Sequence, residues 1–141
     1  PIVTLFFGIC IYLSRPYFPE FSSFVLSSLS VISFMIGIFI FVSAVLSFKK
    51  QKTTVNPISI EKASSLVVNG IFKYSRNPMY LGMSFALLGL AFQFNLVGGL
   101  LFTSIFVLFI TVFQIKPEEA AMEKLFDQEW KDYTKNVRRW L

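Results

Sequence analysis

The hydrophobic positions of this chain form long uninterrupted runs instead of the alternating patterns of soluble helices and strands. Four apolar stretches stand out, at residues 1–14, 21–48, 78–94 and 97–115. Because a helix needs about 20 mostly apolar residues to cross a bilayer, the first stretch is short and the second can cross with a tilt. The pattern predicts an all-α fold, a polytopic membrane bundle with about four transmembrane helices.

The last two stretches are separated by only a few residues around Asn95, which predicts a helical hairpin over 78–115. The segment 117–141 has apolar residues at helical spacing between charged ones, which predicts an amphipathic C-terminal helix lying against the membrane or the bundle. We therefore expect one structural domain, with transmembrane helices at 1–48 and a second region at 49–141. The apolar positions of the C-terminal stripe are Met122, Leu125, Phe126, Trp130, Tyr133, Val137 and Trp140.

Composition supports a membrane location. Hydrophobic residues make up 55% of the 141 residues, 18 of which are phenylalanines, and the mean hydropathy is +0.65. A soluble domain of this size could not bury so much apolar surface, because its surface is large relative to its volume.

The chain has no histidine and a single cysteine, Cys10, so Ser-His and Cys-His nucleophiles and multi-cysteine metal sites are excluded. We expect no metal.

The basic residues predict the orientation. Of 13 Lys and Arg residues, six lie in 49–77, six follow residue 115, and only Arg15 falls in the first loop. The positive-inside rule makes the two basic segments cytoplasmic, so both termini are expected in the cytoplasm. The net charge of +5 then indicates topology and attraction to anionic lipid rather than nucleic-acid binding. No basic region precedes the first apolar run, so we expect no signal peptide.

A polar cluster, KYSRNPMYLG at 73–82, stands directly before the third apolar stretch. The simplest interpretation is a helix start at a membrane surface, with Asn77 as the cap, Pro78 in the first turn and Arg76 reaching the headgroups. The alternative is a binding site, since the free amide groups of a helix start suit a carboxylate.

A second cluster, KPEEAAMEKLF at 116–126, follows the fourth stretch. Glu118 and Glu119 behind Pro117 can simply complement a helix dipole, or they can hold a cationic ligand. A hairpin over 78–115 would bring the two clusters together. Amides and Arg76 on one wall and two carboxylates on the other would suit a zwitterion such as an amino acid.

Together the two clusters resemble a known family. SSLVVNGIFKYSRNPMYLG, a hydrophobic hairpin and PEEAAMEKLFDQEWKDYTKNVRRWL are similar to the integral membrane methyltransferases, which include the isoprenylcysteine carboxyl methyltransferases, the phospholipid methyltransferases and short bacterial relatives. The family pattern is Arg-His/Asn-Pro-x-Tyr, a hairpin, and then Glu-Glu-x-x-Leu-x-x-x-Phe-Gly/Asp-x-x-Tyr/Trp-x-x-Tyr. The resemblance covers about residues 54–141. It implies an S-adenosylmethionine-dependent methyltransferase of a bacterial inner membrane, acting on a lipophilic or lipidated acceptor.

The resemblance also implies roles for individual residues. The cofactor would be held by the segment before and within the Arg-x-Pro motif and by the first glutamate of the pair, and Arg76, Tyr80 and Glu119 are expected to be catalytic. The isoprenylcysteine enzymes have a carboxylate-binding Arg where this chain has Gln114, a substrate-binding position. Gln114 disfavours a prenylated carboxylate, and Lys116 would replace that Arg only in part. The implied cofactor-binding residues are Ser64, Ser65, Leu66, Val67, Phe72, Asn77, Pro78, Met79, Tyr80 and Glu118.

Two other functions fit part of the pattern. Sterol-type membrane reductases are similar to this family in their C-terminal cofactor region and bind NADPH, although the acidic pair Glu118–Glu119 disfavours a phosphate-rich cofactor. A small membrane scaffold with vestigial motifs would bind no cofactor. Methyl transfer remains the favoured function, because displacement at a sulfonium methyl needs alignment and water exclusion but neither a histidine nor a metal.

Overall fold

The computed structural model describes residues 1–50 and 65–141, which contain helices and turns and no β-strand. The all-α prediction is confirmed for these residues. Within these two ranges five α-helices follow one another: α1 Ile2–Ser14, α2 Phe24–Lys50, α3 Pro78–Phe94, α4 Leu96–Ile110 and α5 Lys116–Asn136. Short 3₁₀ turns follow α1 and precede α3, at Arg15–Tyr17 and Gly70–Lys73, and a π-helical turn at Thr111–Ile115 joins α4 to α5.

Helix α3 is packed against each of the other three apolar helices. The Thr4 hydroxyl donates to Met83 Sδ at 3.2 Å and Asn95 Nδ2 donates to Ser14 Oγ at 3.2 Å, so α1 runs parallel to α3. Ser30 of α2 donates to the Gly89 carbonyl at 2.8 Å. Farther along α2, Gly37 lies against Gly82, so α2 runs antiparallel to α3. With α4 returning from the turn at Asn95, the bundle is up-down-up-down.

Two glycines let α2 and α3 approach closely. A Cβ on Gly37 would lie 2.7 Å from the carbonyl oxygen of Gly82, and a Cβ on Gly82 would lie 2.7 Å from that of Gly37. Small residues at such crossings are the usual means by which membrane helices come into backbone contact.

The buried centre of the bundle contains Ile11, Leu87, Phe106 and Ile115, which are fully enclosed. Its outer surface is strongly apolar, with Phe39 at 68% and Leu108 at 67% exposure. Such an outside is compatible with lipid as the surrounding solvent.

Among the described residues two helices are long and apolar enough to cross a membrane, α2 and the apolar part of the helical run Leu96–Asn136, which includes α4 and α5. The apolar helices at Ile2–Tyr17 and Pro78–Phe94 are shorter. Four complete crossings therefore stay a prediction, although the alternating directions of α1 to α4 are compatible with it.

The C-terminal helix differs from the prediction of one straight stripe over 117–141. Helix α5 turns sharply at Asp127, whose φ of 32° and ψ of −100° are not helical. Glu119 and Arg139 would lie about 30 Å apart on a straight helix, yet their side chains are in contact. The two arms of α5 therefore fold back on each other, and the helix ends at Asn136, before Val137 and Trp140.

The turn at Asp127 yields a testable prediction. Asp127 is the only non-glycine with positive φ among residues 1–50 and 65–141. Because a β-branched side chain is strained there, Asp127→Val should lower the free energy of unfolding by about 1–2 kcal/mol. Asp127→Gly should leave it unchanged or raise it. Thermal unfolding in detergent measures both, with Glu129→Val on the same arm as the control; equal effects of the Gly and Val variants would contradict the strained turn.

Candidate functional site

The two polar clusters meet at one end of the α3–α4 hairpin, as the sequence predicts. The Tyr80 hydroxyl, near the start of α3, donates to Glu118 Oε1 at 2.6 Å. Arg76 Nη2 lies 3.3 Å from Glu119 Oε1. The prediction that the hairpin joins the Arg-Asn-Pro segment to the acidic pair is therefore confirmed, and these contacts define the candidate site.

Glu118 accepts hydrogen bonds from neutral donors. Gln114 Nε2, one helical turn earlier, donates to the same Oε1 atom as Tyr80, also at 2.6 Å. Glu118 follows the apolar segment and is largely buried, and burial raises the pKa of its carboxyl above the ordinary value. Gln114 belongs to the π-helical turn, a distortion that often occurs at functional sites. Neutral donors of this kind can give way to hydroxyl or ammonium groups of a ligand.

Glu119 faces a different environment from that of its neighbour. Arg139 donates from Nε at 3.0 Å and from Nη2 at 2.7 Å to Glu119 Oε2, while Arg76 approaches the other oxygen. The Glu119 side chain is only 12% exposed, and hydrogen bonding to it raises the pKa of Arg139. The acidic pair is thus divided: the Glu119 carboxylate pairs with two arginines, and the Glu118 carboxylate is available to neutral donors.

Asn77 stands at the N-cap position of α3, as predicted, but its side chain does not cap the helix. Its side chain makes no capping hydrogen bond, and its Nδ2 instead donates to the Arg139 carbonyl at 3.1 Å. Pro78 does lie in the first turn, where its missing amide costs nothing, and it is fully buried. Asn77 therefore attaches the C-terminal segment to the start of α3.

The C-terminal segment 137–141 forms a wall of the site. Arg76 N donates to the Arg138 carbonyl at 3.0 Å, and Trp140 Nε1 donates to Thr111 Oγ1 at 3.2 Å. The Trp140 ring packs against the central core cluster. The last residues therefore join the entrance of α3 to the π-helical turn, and they enclose the pair formed by Arg76 and Glu119.

The segment 65–73 lies between α2 and the second arm of α5. Val67 and Phe72 are buried against Ala44, with Met79 packed beside them. Leu66 packs against the cluster around Trp130. Ser65 Oγ is buried and has no hydrogen-bond partner among the described residues. Ser64, also predicted to bind a cofactor, lies outside the described residues.

Several residues of this site are not singled out by the sequence. Arg139 reads as one of six basic residues near the end of the chain, and Trp140 and Tyr133 read as members of an apolar stripe. In the structure the Tyr133 hydroxyl donates to the Phe72 carbonyl at 2.7 Å and fixes the 65–73 segment. The family pattern does contain aromatic positions near the C-terminus, but it does not indicate which residues their side chains contact.

A cavity of about 340 Å³ lies between the two arms of α5, next to the Arg76–Glu119 pair. Basic side chains outnumber acidic ones in its lining, which includes Lys116, Lys131 and the aromatic ring of Trp130. Within residues 1–50 and 65–141, no group of three or more His, Cys, Asp or Glu side chains is placed to hold a metal ion.

Comparison with known proteins gives one match. The sequence model of the phospholipid methyltransferase family matches residues 25–129, so the chain belongs to that family. The matched range contains the hairpin, Tyr80, Glu118 and Glu119, and it confirms the family resemblance. No curated protein and no solved structure matches the chain.

The division of the acidic pair yields a prediction about stability. Glu119→Gln removes the charge that two arginines share at a site with little exposure, and breaking a buried pair typically costs 3–5 kcal/mol. Because Arg139 keeps partial contact with water, we expect the lower end, about 3 kcal/mol, measured by thermal unfolding in detergent. Glu123→Gln, at an exposed position on the same arm, is the control and should have almost no effect. Equal stability of the two variants would show that the Glu119 network does not hold the site together.

Proposed function

We propose that this member of the phospholipid methyltransferase family is an integral membrane S-adenosylmethionine-dependent methyltransferase with a lipophilic or membrane-associated acceptor. The observation that carries the proposal is the 2.6 Å contact between the Tyr80 hydroxyl and Glu118. It joins the two motifs at a partly buried point at the end of the apolar hairpin, inside the range that matches the family.

The residues present are compatible with the cofactor. The segment 65–67 has a buried serine oxygen, Ser65 Oγ, with no partner among the described residues, as expected of a group that bonds to a ligand. On the opposite side, Glu118 offers a carboxylate whose present donors are neutral and replaceable. Ser64, Ser65, Leu66, Asn77, Met79 and Glu118 are the proposed cofactor contacts, while the buried Val67, Phe72 and Pro78 would contribute mainly through backbone and shape.

When bound, the cofactor supplies an electrophilic methyl group on a sulfonium sulfur. Ser65 and Glu118 would hold the cofactor, so that its methyl group could be transferred to a lone pair of the acceptor. In this proposal Tyr80 lies at the reacting centre, where its hydroxyl and Glu118 orient the reactants. Their effect is alignment and exclusion of water, which can lower a barrier by about 7–11 kcal/mol in the best intramolecular cases.

Arg76 and Glu119 take a positioning role in this proposal. Arg76 pairs with Glu119 and donates to the Arg138 carbonyl, and Glu119 also pairs with Arg139, so neither is free to move a proton without breaking the wall of the site. Gln114 lies beside Glu118 at the acceptor position. Its amide supports a neutral or amine-bearing lipid head better than a carboxylate, because it offers no positive charge.

The proposed location is a bacterial inner membrane, with α1 to α4 all crossing and both termini in the cytoplasm. The up-down-up-down order supports this arrangement, since it puts the starts of α1 and α3 and the ends of α2 and α4 at one face. That face carries Lys49, Lys50, Lys73, Arg76 and Lys116, as the positive-inside rule requires of a cytoplasmic face.

The first prediction concerns cofactor binding. Glu118→Gln keeps the shape and one acceptor oxygen but removes the charge, and hydrogen bonds to charged groups contribute about 1.5–3 kcal/mol. We therefore expect S-adenosylhomocysteine to bind about 10- to 100-fold more weakly, by calorimetric titration in detergent, with the unfolding temperature almost unchanged. Glu123→Gln is the matched control.

Titration of the unaltered protein separates the alternatives. S-adenosylhomocysteine binding without NADPH binding supports a methyltransferase, the reverse supports a reductase relative, and binding of neither supports a scaffold. If Glu118→Gln binds S-adenosylhomocysteine with the affinity of the unaltered protein, Glu118 does not belong to the cofactor site.

The second prediction concerns turnover. Tyr80→Ala should lower kcat by about 100-fold or more, because a misplaced reactant loses much of the benefit of alignment. Tyr80→Phe tests the hydroxyl alone and should lie between Tyr80→Ala and the unaltered protein. Transfer of labelled methyl groups to phosphatidylethanolamine in mixed micelles measures both. Tyr74→Phe, at a residue with 71% exposure, is the control; full activity of Tyr80→Ala would reduce Tyr80 to an interface anchor.

A further inference from the structure

A long apolar groove opens on the side of the bundle away from α4. Helices α1 and α2 both pack on α3 but make little contact with each other, which leaves a cleft floored by α3. The cleft has a volume of about 610 Å³. Its lining is almost entirely apolar and includes Leu5 and Ile9 of α1, Phe41 of α2, and Ala86 and Leu90 of α3.

The groove has two distinct ends. At one end the Thr4 hydroxyl is already bonded to Met83 Sδ, so it presents no free polar group there. At the other end the rings of Tyr12 and Phe94 meet edge to face, with centroids 5.3 Å apart, and they bound the groove. Between Met83 and Phe94 the helix rises about 16 Å. The groove is therefore bounded and of limited length.

The end of the groove at Thr4 and Met83 lies next to the candidate site. Met83 is the first α3 residue that lines the groove, and it follows Tyr80 by one helical turn. Met83 belongs to the central core cluster, and Tyr80 packs against that cluster. An elongated molecule in the groove with its polar end toward Met83 would bring that end to the level of Tyr80. The end of the groove at Met83 thus lies one helical turn from Tyr80, whose hydroxyl contacts Glu118.

The chemistry of the lining favours a hydrocarbon chain as the occupant. The lining has no charged side chain that could pair with a polar partner. A flexible apolar chain needs no such partner, and the family to which the chain belongs is named for lipids that carry such chains.

We infer that this groove holds one hydrocarbon chain of the methyl acceptor, with Ile9 and the Tyr12–Phe94 pair setting the chain length that fits. The inference rests on the proposed function and adds to it the hydrocarbon chain of the acceptor, whose length the groove would select. A chain that leaves the bilayer for the groove gains little from the hydrophobic effect, since both surroundings are apolar. The groove therefore selects chains by shape, and a single blocking side chain should be decisive.

Photolabelling tests the location directly. Two phosphatidylethanolamine probes carry a diazirine either beside the glycerol or at the end of one acyl chain, and they are photolysed at low mole fraction with the protein in nanodiscs. We expect the first probe to label Thr4 and Met83 and the second to label Tyr12, Leu90 and Phe94. Labelling by both probes in proportion to surface exposure, with Phe39 and Leu108 as prominent as the groove, would overturn the inference.

A matched pair of variants sharpens the test. Ile9→Trp fills the middle of the groove at a position with 49% exposure, so the substitution should be tolerated. It should lower labelling at Leu90 and Phe94 by about tenfold, in line with the discrimination that apolar pockets achieve by size. Ile38→Trp makes the same change on the outer face of α2, at a residue with 54% exposure, and should leave labelling unchanged. Equal labelling in the two variants would again overturn the inference.

The same variants connect the groove to turnover. Methyl transfer to phosphatidylethanolamines of increasing chain length should favour shorter chains in Ile9→Trp by about tenfold relative to Ile38→Trp. S-adenosylhomocysteine titration separates the two failures. If the cofactor does not bind the unaltered protein, the proposed function fails; if it binds while labelling is uniform, only the groove fails.

Discussion

The fold of the α3–α4 hairpin is the constraint on which the site depends. Its register is fixed at the turn, where Asn95 accepts from Gly98 N at 3.0 Å through its side chain and from Gly99 N at 2.7 Å through its carbonyl. Gly99 lies directly against Ala91, with no room for a side chain between them. Because the helices cannot slide past each other at this end, Tyr80 and Glu118 are held in contact at the other. The hydrogen bond from Asn95 to Ser14 extends the same constraint to α1.

The division of the two glutamates explains how a charged cluster is tolerated beside an apolar core. Glu119 pairs with Arg76 and is hydrogen-bonded to Arg139, and a buried charge is stable only when it is paired and hydrogen-bonded. The backbone carbonyls of Arg138 and Arg139 are used at the same time by Arg76 and Asn77. The C-terminal segment and the entrance of α3 therefore hold each other. Glu118 is left with neutral donors only, which is the condition under which a carboxylate can exchange them for a ligand.

The features that the sequence predicts depend on residues close together in the chain, whereas the features that it misses depend on contacts between distant residues or on the conformation of a single residue. The helices and the meeting of Arg76 and Tyr80 with the acidic pair follow from apolar run lengths and a short turn, which are local properties. The predicted capping by the Asn77 side chain is wrong, although Asn77 does stand at the N-cap position, because that side chain has a partner 62 residues later, which no local pattern reveals. The reversal at Asp127 is invisible to helical periodicity, since the apolar spacing continues on both sides of the turn. The family pattern allows Gly or Asp at that position, and its positive φ now gives a physical reason.

The arrangement suggests why a chain without histidine could support the proposed methyl transfer from a charged cofactor to a lipid acceptor. The faces around the candidate site differ: the 65–77 segment, the arms of α5 and the C-terminal segment carry the polar and charged groups, whereas the α1–α2 cleft is apolar along its length. A charged cofactor and a lipid chain could therefore reach Tyr80 from different sides without either crossing the medium that excludes it. In the proposed reaction such a site would need placement more than proton chemistry, because each reactant would be held by surroundings that resemble its own solvent. The Tyr80–Glu118 contact lies where those two environments adjoin, and a shift there would affect cofactor and acceptor together.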